Sequence, residues 1–486
     1  MAESDTLWTL LAQSADPAVA TSLKSVVEKG EDIALNRINP LVFAARHGHE
    51  EEPVISALVH AARLGIFDLS WNVLCSSCGG VLETGGGLKT IDRREYFCAF
   101  CAQNNEPTLD EMVEVTFTVN PRIRRIAAHD PEGLPLAEYM RQVFFGSGAD
   151  LPDDIEAAIN AVTLDVMDLA PGEKAAMSLT LPEGFIVLLD PVTHSTLFLD
   201  VKGEPTQERR NVSLVFSDLH AHAGTLSLQP GPARISLENR SAKRTIPGLW
   251  VSGEAMHQNL GQRRPFLTAT RLLSNQIFRD LYHNGTLDKD QRFKITNLTF
   301  LFTDLRGSTA LYDRIGDLAA YDLVRDHFAA LLTSVATEGG AVVKTIGDAV
   351  MATFPTPDRA VRAAMKMRGA MREINVARGS EDLALNIGLH EGPCLAVMLD
   401  ERQDYFGQTV NVAARVQGLA DPSAILVTKS IVESAEVARL LAEAGLAANE
   451  RSSTLRGVSE PVSVYELRLT QGESRGDDIE SRRLYA

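Results

Sequence analysis

The 486-residue chain contains no run of about 18 or more apolar residues, so no segment has the length and hydropathy of a bilayer-crossing helix. Its first residues, Met1-Ala2-Glu3-Ser4-Asp5, lack the basic and then apolar pattern of a secretory signal, and a cytoplasmic location is expected. Positive charge is also short. There are 47 Lys and Arg against 64 Asp and Glu, a formal net charge of −17, which argues against a nucleic-acid partner because phosphate contacts need clustered cations. A site for a polyanionic small molecule must therefore gather its cations locally. Cysteine is scarce, with five in the chain. What is present is ordinary for a globular protein: 45% apolar and 23% charged residues, in a chain long enough for about three domains of ~100–200 residues each.

Four of the five cysteines fall in Cys75-x-x-Cys78 and Cys98-x-x-Cys101, with nineteen residues between the pairs; Cys394 stands alone. In a reducing compartment two such pairs read as a metal site, each turn presenting two thiolates to a tetrahedral Zn²⁺. Four thiolates leave no open position, so the zinc would be structural, in a ribbon over residues 71–106. A redox role for Cys-x-x-Cys is the alternative, which the second matching pair disfavours.

The remaining organisation follows from periodicity. Residues 1–70 alternate apolar segments with polar breaks; Val54, Leu58 and Ala61 lie at helical spacing and Gly65 is a stop, so a small helical region is expected. His47 and His49 beside Gly48 fit a solvated loop better than a metal site. Residues 107–262 change to short β-type runs, including 113–119, 176–181, 184–189, 196–201, 211–216, 224–228 and 233–239, broken by Pro, Gly and Asp at intervals that suit a β-sandwich or barrel. His220 and His222 would share one strand face there, as a solvated pair or, with a third ligand, a metal site. Residues 263–295 read as a helical linker with a stripe at Leu267, Leu272, Ile277 and Leu281, either a spacer or a carrier of a signal. Residues 471–486 read as a flexible tail.

The C-terminal part is the most informative. An apolar run over 298–303 ends at Asp304, and Gly307-Ser308-Thr309 opens a helix, a turn whose backbone N–H groups suit a phosphate. Two further apolar runs meet at Gly347-Asp348, a tight hairpin. Residues 318–337 and 358–377 carry helical stripes, and further strands are expected over 385–390, 394–398, 424–428 and 462–467. The expected product is an α+β sheet with helices on one side.

Three motifs, Thr303-Asp304-x-x-Gly307-Ser308-Thr309, Lys344-x-x-Gly347-Asp348 and Asp404-Tyr405-Phe406-Gly407-Gln408-Thr409-Val410-Asn411-Val412-Ala413-Ala414-Arg415, occur in the order and spacing of the class III nucleotidyl cyclases. The chain resembles that family over residues 296–470. The resemblance implies a ferredoxin-like catalytic core and a reaction in which the ribose 3′-hydroxyl of a nucleoside triphosphate attacks the α-phosphate. It also implies two Mg²⁺ or Mn²⁺ ions per site on Asp304, Asp348 and the Leu305 carbonyl, hard cations on oxygen donors. Asn411 would orient the ribose and Arg415 stabilise the transition-state charge; the two lie four apart on one helix face. Lys344 and Asp404 occupy the base-reading positions. A lysine donor and a carboxylate acceptor match the N1 acceptor and N6 donor of adenine, so ATP is the expected substrate. Arg456 stands at a triphosphate-contact position, and Arg402 lies near a second such position at a different offset. The family also implies a homodimer with sites at the interface, each taking groups from both subunits. The expectation is thus a multidomain α+β protein, an adenylate cyclase with a regulatory N-terminal region. A catalytically weak nucleotide-binding sensor or scaffold on the same fold is the alternative.

Overall fold

A computed structural model describes residues 2–92, 94–217, 222–252, 263–282, 287–399, 402–453 and 462–469. The chain packs as two compact units, one of residues 1–107 and 111–267, the other of residues 108–110 and 268–486.

The first unit opens with four helices, Ala2–Ser14, Pro17–Lys29, Pro40–His47 and Glu51–Arg63. Their ends are written locally. Asp16 accepts from the amides of Ala18 and Val19 ahead of Pro17, Asn39 accepts from Leu41 and Val42 ahead of Pro40, and Gly48 closes the third helix in the left-handed region. Val54, Leu58 and Ala61 are fully buried, as their spacing predicts. The strand Phe67–Leu74 follows and pairs antiparallel with Val81–Gly85 on one side and Val113–Val119 on the other. The sequence assigns 113–119 to the middle β region, but its register against Phe67–Leu74 draws it here: on one face Val113, Val115, Phe117 and Val119, all buried, oppose Val73, Trp71, Leu69 and Phe67. Residues 163–252 form a five-stranded and a three-stranded sheet, each containing one parallel pair, and their apolar side chains make one cluster around Ile186, Leu199, Phe216 and Ile235. The stripe over 265–282 is not one helix. Thr268 and Asn275 each cap a new helix start, giving Ala269–Leu273 and Gln276–Leu281.

The second unit is organised on the 14-residue strand Arg292–Leu305, whose run from Leu298 to Phe302 is buried. In sheet order the strands are Ala341–Ile346 at one edge, Ala349–Phe354, Arg292–Leu305, Leu385–Leu399, Ile425–Thr428, Val462–Leu469 and Leu446–Ser453. Arg402–Phe406 pairs with the far end of Leu385–Leu399. All pairings are antiparallel except Leu385–Leu399 with Ile425–Thr428. The helices Asp317–Thr337, Pro357–Arg378 and Ala435–Glu443 cover one face, sharing a core with Leu301, Ile387, Leu389, Ile425 and Val427.

The helices are not confined to that face. Strand side chains alternate, and the intervening Leu426 and Val464 cluster with Val412 and Val416 of the helix Gln408–Gly418 on the opposite side. Gly388 lies on that second face, and a Cβ there would sit 2.2 Å from the Gln417 amide nitrogen, so only glycine lets this helix approach so closely. The helix bearing Asn411 and Arg415 is thereby laid across the strands that follow from Asp304.

His390, in register with Phe300 at the sheet centre, bonds Thr428 Oγ1 through Nδ1 at 2.8 Å. Burial holds its pKa down at about 4. The unfolded chain, with His near 6.5, binds the proton more tightly, so stability present above about pH 6.5 is lost as pH falls toward 4. Urea titrations at a series of pH values are expected to show this loss, on the order of 3 kcal/mol at its lower end. His390→Gln, which cannot be protonated, is expected to flatten the slope.

Candidate active site and thiol cluster

Asp304 is the penultimate residue of its strand and sits half-buried at the sheet's end. Asp348 is at the turn of the neighbouring hairpin, where Gly347 adopts φ +65°, a conformation that strains any residue with a Cβ. Thr303 pairs with Val350 across the strands, which brings the two carboxylates to one end of adjacent strands. Burial first, and then the Asp348 carboxylate, hold Asp304 above the usual carboxylate range. Asp348 Oδ2 is buried without a hydrogen-bond partner among the described residues. A converging pair of carboxylates with an orphaned buried oxygen fits a divalent cation on oxygen donors. Leu305 closes the same strand.

Two residues around Asp348 escaped the sequence reading. Burial, then Asp348, raises the Tyr312 hydroxyl pKa. His327, fully buried on the long helix, bonds Met371 Sδ through Nδ1; burial lowers its pKa while the Asp348 backbone and carboxylate oppose that. His327 lies in a helical stripe read from the sequence as packing and Tyr312 in the helix opened by Gly307-Ser308-Thr309, and neither pattern says which member faces a carboxylate.

Lys344 and Asp404 are sixty residues apart and meet directly: Nζ donates to Asp404 Oδ2 at 2.5 Å. The Lys344 side chain is 43% exposed, and Asp404, whose Oδ1 also accepts from the Tyr405 amide, is 7% exposed as a residue. A cationic donor and a carboxylate acceptor are thus held side by side at the rim of the sheet. On the helix Gln408–Gly418, Val412, Ala413 and Val416 face inward, while Asn411 is exposed and Arg415 half-exposed, neither with a side-chain partner among the described residues. Arg402 is exposed at the start of its strand. Arg456 and His220 lie outside the described residues, as does the tail 471–486; His222 opens the strand His222–Leu228.

In the first unit the Sγ atoms of Cys75, Cys78, Cys98 and Cys101 lie within 4.8 Å of one another, Cys78 and Cys98 at 3.7 Å. Zn–S bonds of ~2.3 Å in a tetrahedron put sulfurs about 3.8 Å apart, so the donor set fits Zn²⁺. Hydrogen bonding with Cys101 is the leading cause that lowers the Cys75 pKa and raises those of Cys78 and Cys98, as expected where thiols crowd and cannot all ionise unaided. Cys78 and Cys98 lie 20 residues apart; Tyr96–Cys98 pairs with Gln103–Asn105, and that hairpin meets the Cys75 turn where the Ser76 amide donates to Asn105 Oδ1 and Gln103 Nε2 to Cys75 Sγ.

Comparison with known proteins places the second unit in a class. Residues 291–465 match the adenylate and guanylate cyclase catalytic domain, so the chain carries a class III nucleotidyl cyclase catalytic domain at its C-terminal end. Residues 1–280 match a family of unknown function, DUF5939, and because that match spans more than half of the 486 residues the chain belongs to it. Among its relatives, the adenylate cyclase of Anabaena cylindrica is 30% identical over 186 residues, covering 35% of this chain and 36% of that protein. Adenylate cyclase 2 of Rhizobium meliloti is 32% identical over 225 residues, covering 43% and 59%. The chain therefore spans only about a third to three fifths of these relatives' own lengths. The crystal structure of the adenylyl cyclase CyaB from P. aeruginosa is 25% identical, with 38% of this chain and 98% of that one covered and a TM-score of 0.32.

Asp304 is raised because charging it in a half-buried place, and then beside Asp348, is costly, so Asp304→Asn should relieve that cost. In chelator-treated protein at pH 7 this variant is expected to melt higher than the parent by about one to two degrees. A raised folded pKa removes stability as pH rises through it, so the advantage should vanish below about pH 4, where the carboxyl is protonated in both states. Calorimetric melts at pH 4 and pH 7 check both.

Proposed function

We propose that the chain is an adenylate cyclase that converts ATP to 3′,5′-cyclic AMP and pyrophosphate, working as a homodimer under the control of its N-terminal region. The observation that carries the substrate reading is the Lys344–Asp404 pair. An ammonium beside a carboxylate offers a donor to adenine N1 and an acceptor to the N6 amine, whereas guanine presents the reverse and would leave buried groups unpaired. The relatives named adenylate cyclase are in keeping with this choice.

Asp304, Asp348 and the Leu305 carbonyl would hold Mg²⁺ or Mn²⁺, which supplies charge neutralisation at the attacking hydroxyl and the phosphates. The chain's own groups do the rest. Asn411, exposed on its helix, holds the ribose so that the 3′-hydroxyl lies in line with the α-phosphate, an entropic gain. Arg415, permanently charged and with no competing partner among the described residues, is available to the equatorial oxygens as charge builds. Arg456 would add a contact to the triphosphate.

Support for a dimer comes from the rim. Lys344 is on an edge strand, Ile346 beside it is 55% exposed and Phe406, two residues past Asp404, is 64% exposed. Large apolar side chains on an unpaired edge suit a covered surface. In the head-to-tail arrangement, Asp304 and Asp348 from one subunit meet Lys344, Asp404, Asn411 and Arg415 from the other, and two-fold symmetry makes two equivalent sites. The thiol cluster is proposed as a structural Zn²⁺ site that staples the Cys75 turn to the Cys98–Cys101 hairpin.

Purified chain with ATP and Mg²⁺ or Mn²⁺ is expected to release cyclic AMP; binding of ATP without product would make it a nucleotide sensor instead. Asp304→Ala and Asn411→Ala should each be nearly inactive. Co-expressed, they should recover about a quarter of parental activity, because random pairing makes half the dimers mixed, each with one intact site of two. Failure to rise above either variant, with mixed dimers verified by tagged pull-down, would place the site within one chain. Metal analysis of protein purified without chelator is expected to find about one zinc per chain. Cys75→Ser should lose it and lower the melting temperature.

A further inference from the structure

The family match over residues 1–280 and the compact units do not share a boundary. Two pieces of that match, residues 108–110 and 268–280, are built into the catalytic unit. Each meets a strand that bears a site residue.

The first piece lies along the Asp304 strand. Thr108 forms a parallel bridge with Lys294, and the Leu109 amide donates to the Lys294 carbonyl at 3.1 Å. That strand slips register against Leu385–Leu399 between Ile295 and Leu298, leaving residues 296 and 297 unpaired in the ladder. Asp110 fills the gap: its Oδ2 accepts from the amides of Thr296 and Asn297, each at 2.9 Å, and from the Thr296 hydroxyl. A bulge sets the twist and aim of the strand that leaves it, and this strand leaves toward Asp304.

The second piece grips the base-reading pair. Gln276 Oε1 accepts from the Val342 amide at 2.8 Å, on the edge strand two residues before Lys344. Arg279 Nη2 donates to the Gln403 carbonyl at 2.9 Å and approaches the Val343 carbonyl at 3.5 Å. Gln403 and Val343 are the residues immediately before Asp404 and Lys344. These two strands, Ala341–Ile346 and Arg402–Phe406, are not neighbours in the sheet, so one guanidinium spans them where no ladder does. The two pieces also touch, the Thr270 amide donating to the Leu109 carbonyl at 3.0 Å.

We propose that the family of unknown function acts on the cyclase domain through these two insertions, Arg279 being the positioning residue for the Lys344–Asp404 pair and Asp110 for the Asp304 strand. It rests on the nucleotide-site reading above and assigns the N-terminal family a role: any rearrangement there reaches the site along a continuous chain, through 111 to 110 and through 267 to 268. The base-reading and metal-bearing ends are controlled separately.

The test uses the full chain. Arg279→Met is expected to raise KM for ATP and lower the preference for ATP over GTP, each roughly ten-fold, with a smaller change in kcat, since it misplaces the groups that recognise the base. Arg279→Lys, which keeps a donor, should restore part of the preference. Asp110→Ala is expected to lower kcat and raise the Mg²⁺ concentration for half-maximal activity, roughly five-fold each, leaving the base preference unchanged. A structural role alone would reduce the yield of folded chain without moving KM or the base preference. ATP affinity is measured in parallel by calorimetry with Ca²⁺. A parent that binds ATP without turnover defeats the activity reading yet still tests Arg279 through affinity; one that binds no ATP defeats both. Unchanged KM, base preference and affinity in Arg279→Met, or an unchanged Mg²⁺ response in Asp110→Ala, would overturn the proposal. If Arg279→Met does not fold, Gln276→Leu, at the other grip on the same edge strand, carries the same expectation.

Discussion

Two carboxylates forced together at the end of one sheet are the constraint from which the rest of the catalytic unit follows. Asp304 lies near the end of a strand whose run from Leu298 to Thr303 is buried, and Asp348 rides a hairpin whose turn needs Gly347, so neither can withdraw without unpairing the ladder that holds it. The cost appears in the raised Asp304 pKa and in the orphaned Asp348 oxygen. A stability-driven arrangement would place a Lys or Arg between them; this arrangement leaves two converging carboxylates whose donor set fits a divalent cation.

The legible part of this chain was the part where chemistry fixes residue type at short range. Asp304, Lys344, Asp348 and Asp404 stand in motifs a few residues long, and the structure pairs Lys344 with Asp404 and Asp304 with Asp348. The helices Asp317–Thr337 and Pro357–Arg378 match the stripes that predict them to within a residue. What stayed hidden depends on long-range pairing. The placement of Gln408–Gly418 on the opposite sheet face is decided by Gly388 and by the alternation of Leu426 with Ile425 and Val427, twenty residues or fewer from the helix in sequence but unreadable until register is known. The short segment 108–110 carries no periodic signal at all, and its role emerges only once the bulge at residues 296 and 297 exists to be filled.

The first unit shows the same limit in its buried polar groups. Glu114 is fully buried and accepts from Asn72 Nδ2, Ser147 Oγ and the Gly148 amide; Asn72 Oδ1 accepts from Thr84, which also accepts from Arg37. Arg37, at φ +46°, spends its other donors on the Val143 and Phe145 carbonyls. Five segments scattered between residues 37 and 148 close one network, which holds them in a single arrangement because opening a bond leaves a buried polar group without its partner. Composition cannot show this, since a Glu inside an alternating strand reads as solvent-facing.

Glu114 also lies close in sequence to the segment that fills the bulge. It lies on Val113–Val119, four residues past the last residue of the segment that fills the bulge in the Asp304 strand. A strand locked by a buried, fully bonded carboxylate slides or rotates as a piece, because freeing it alone would leave that charge unpaired. Under the proposed coupling, the chain from Glu114 to Asp110 is the covalent route from that strand to the bulge in the Asp304 strand, whose residues 296 and 297 have no ladder bonds of their own.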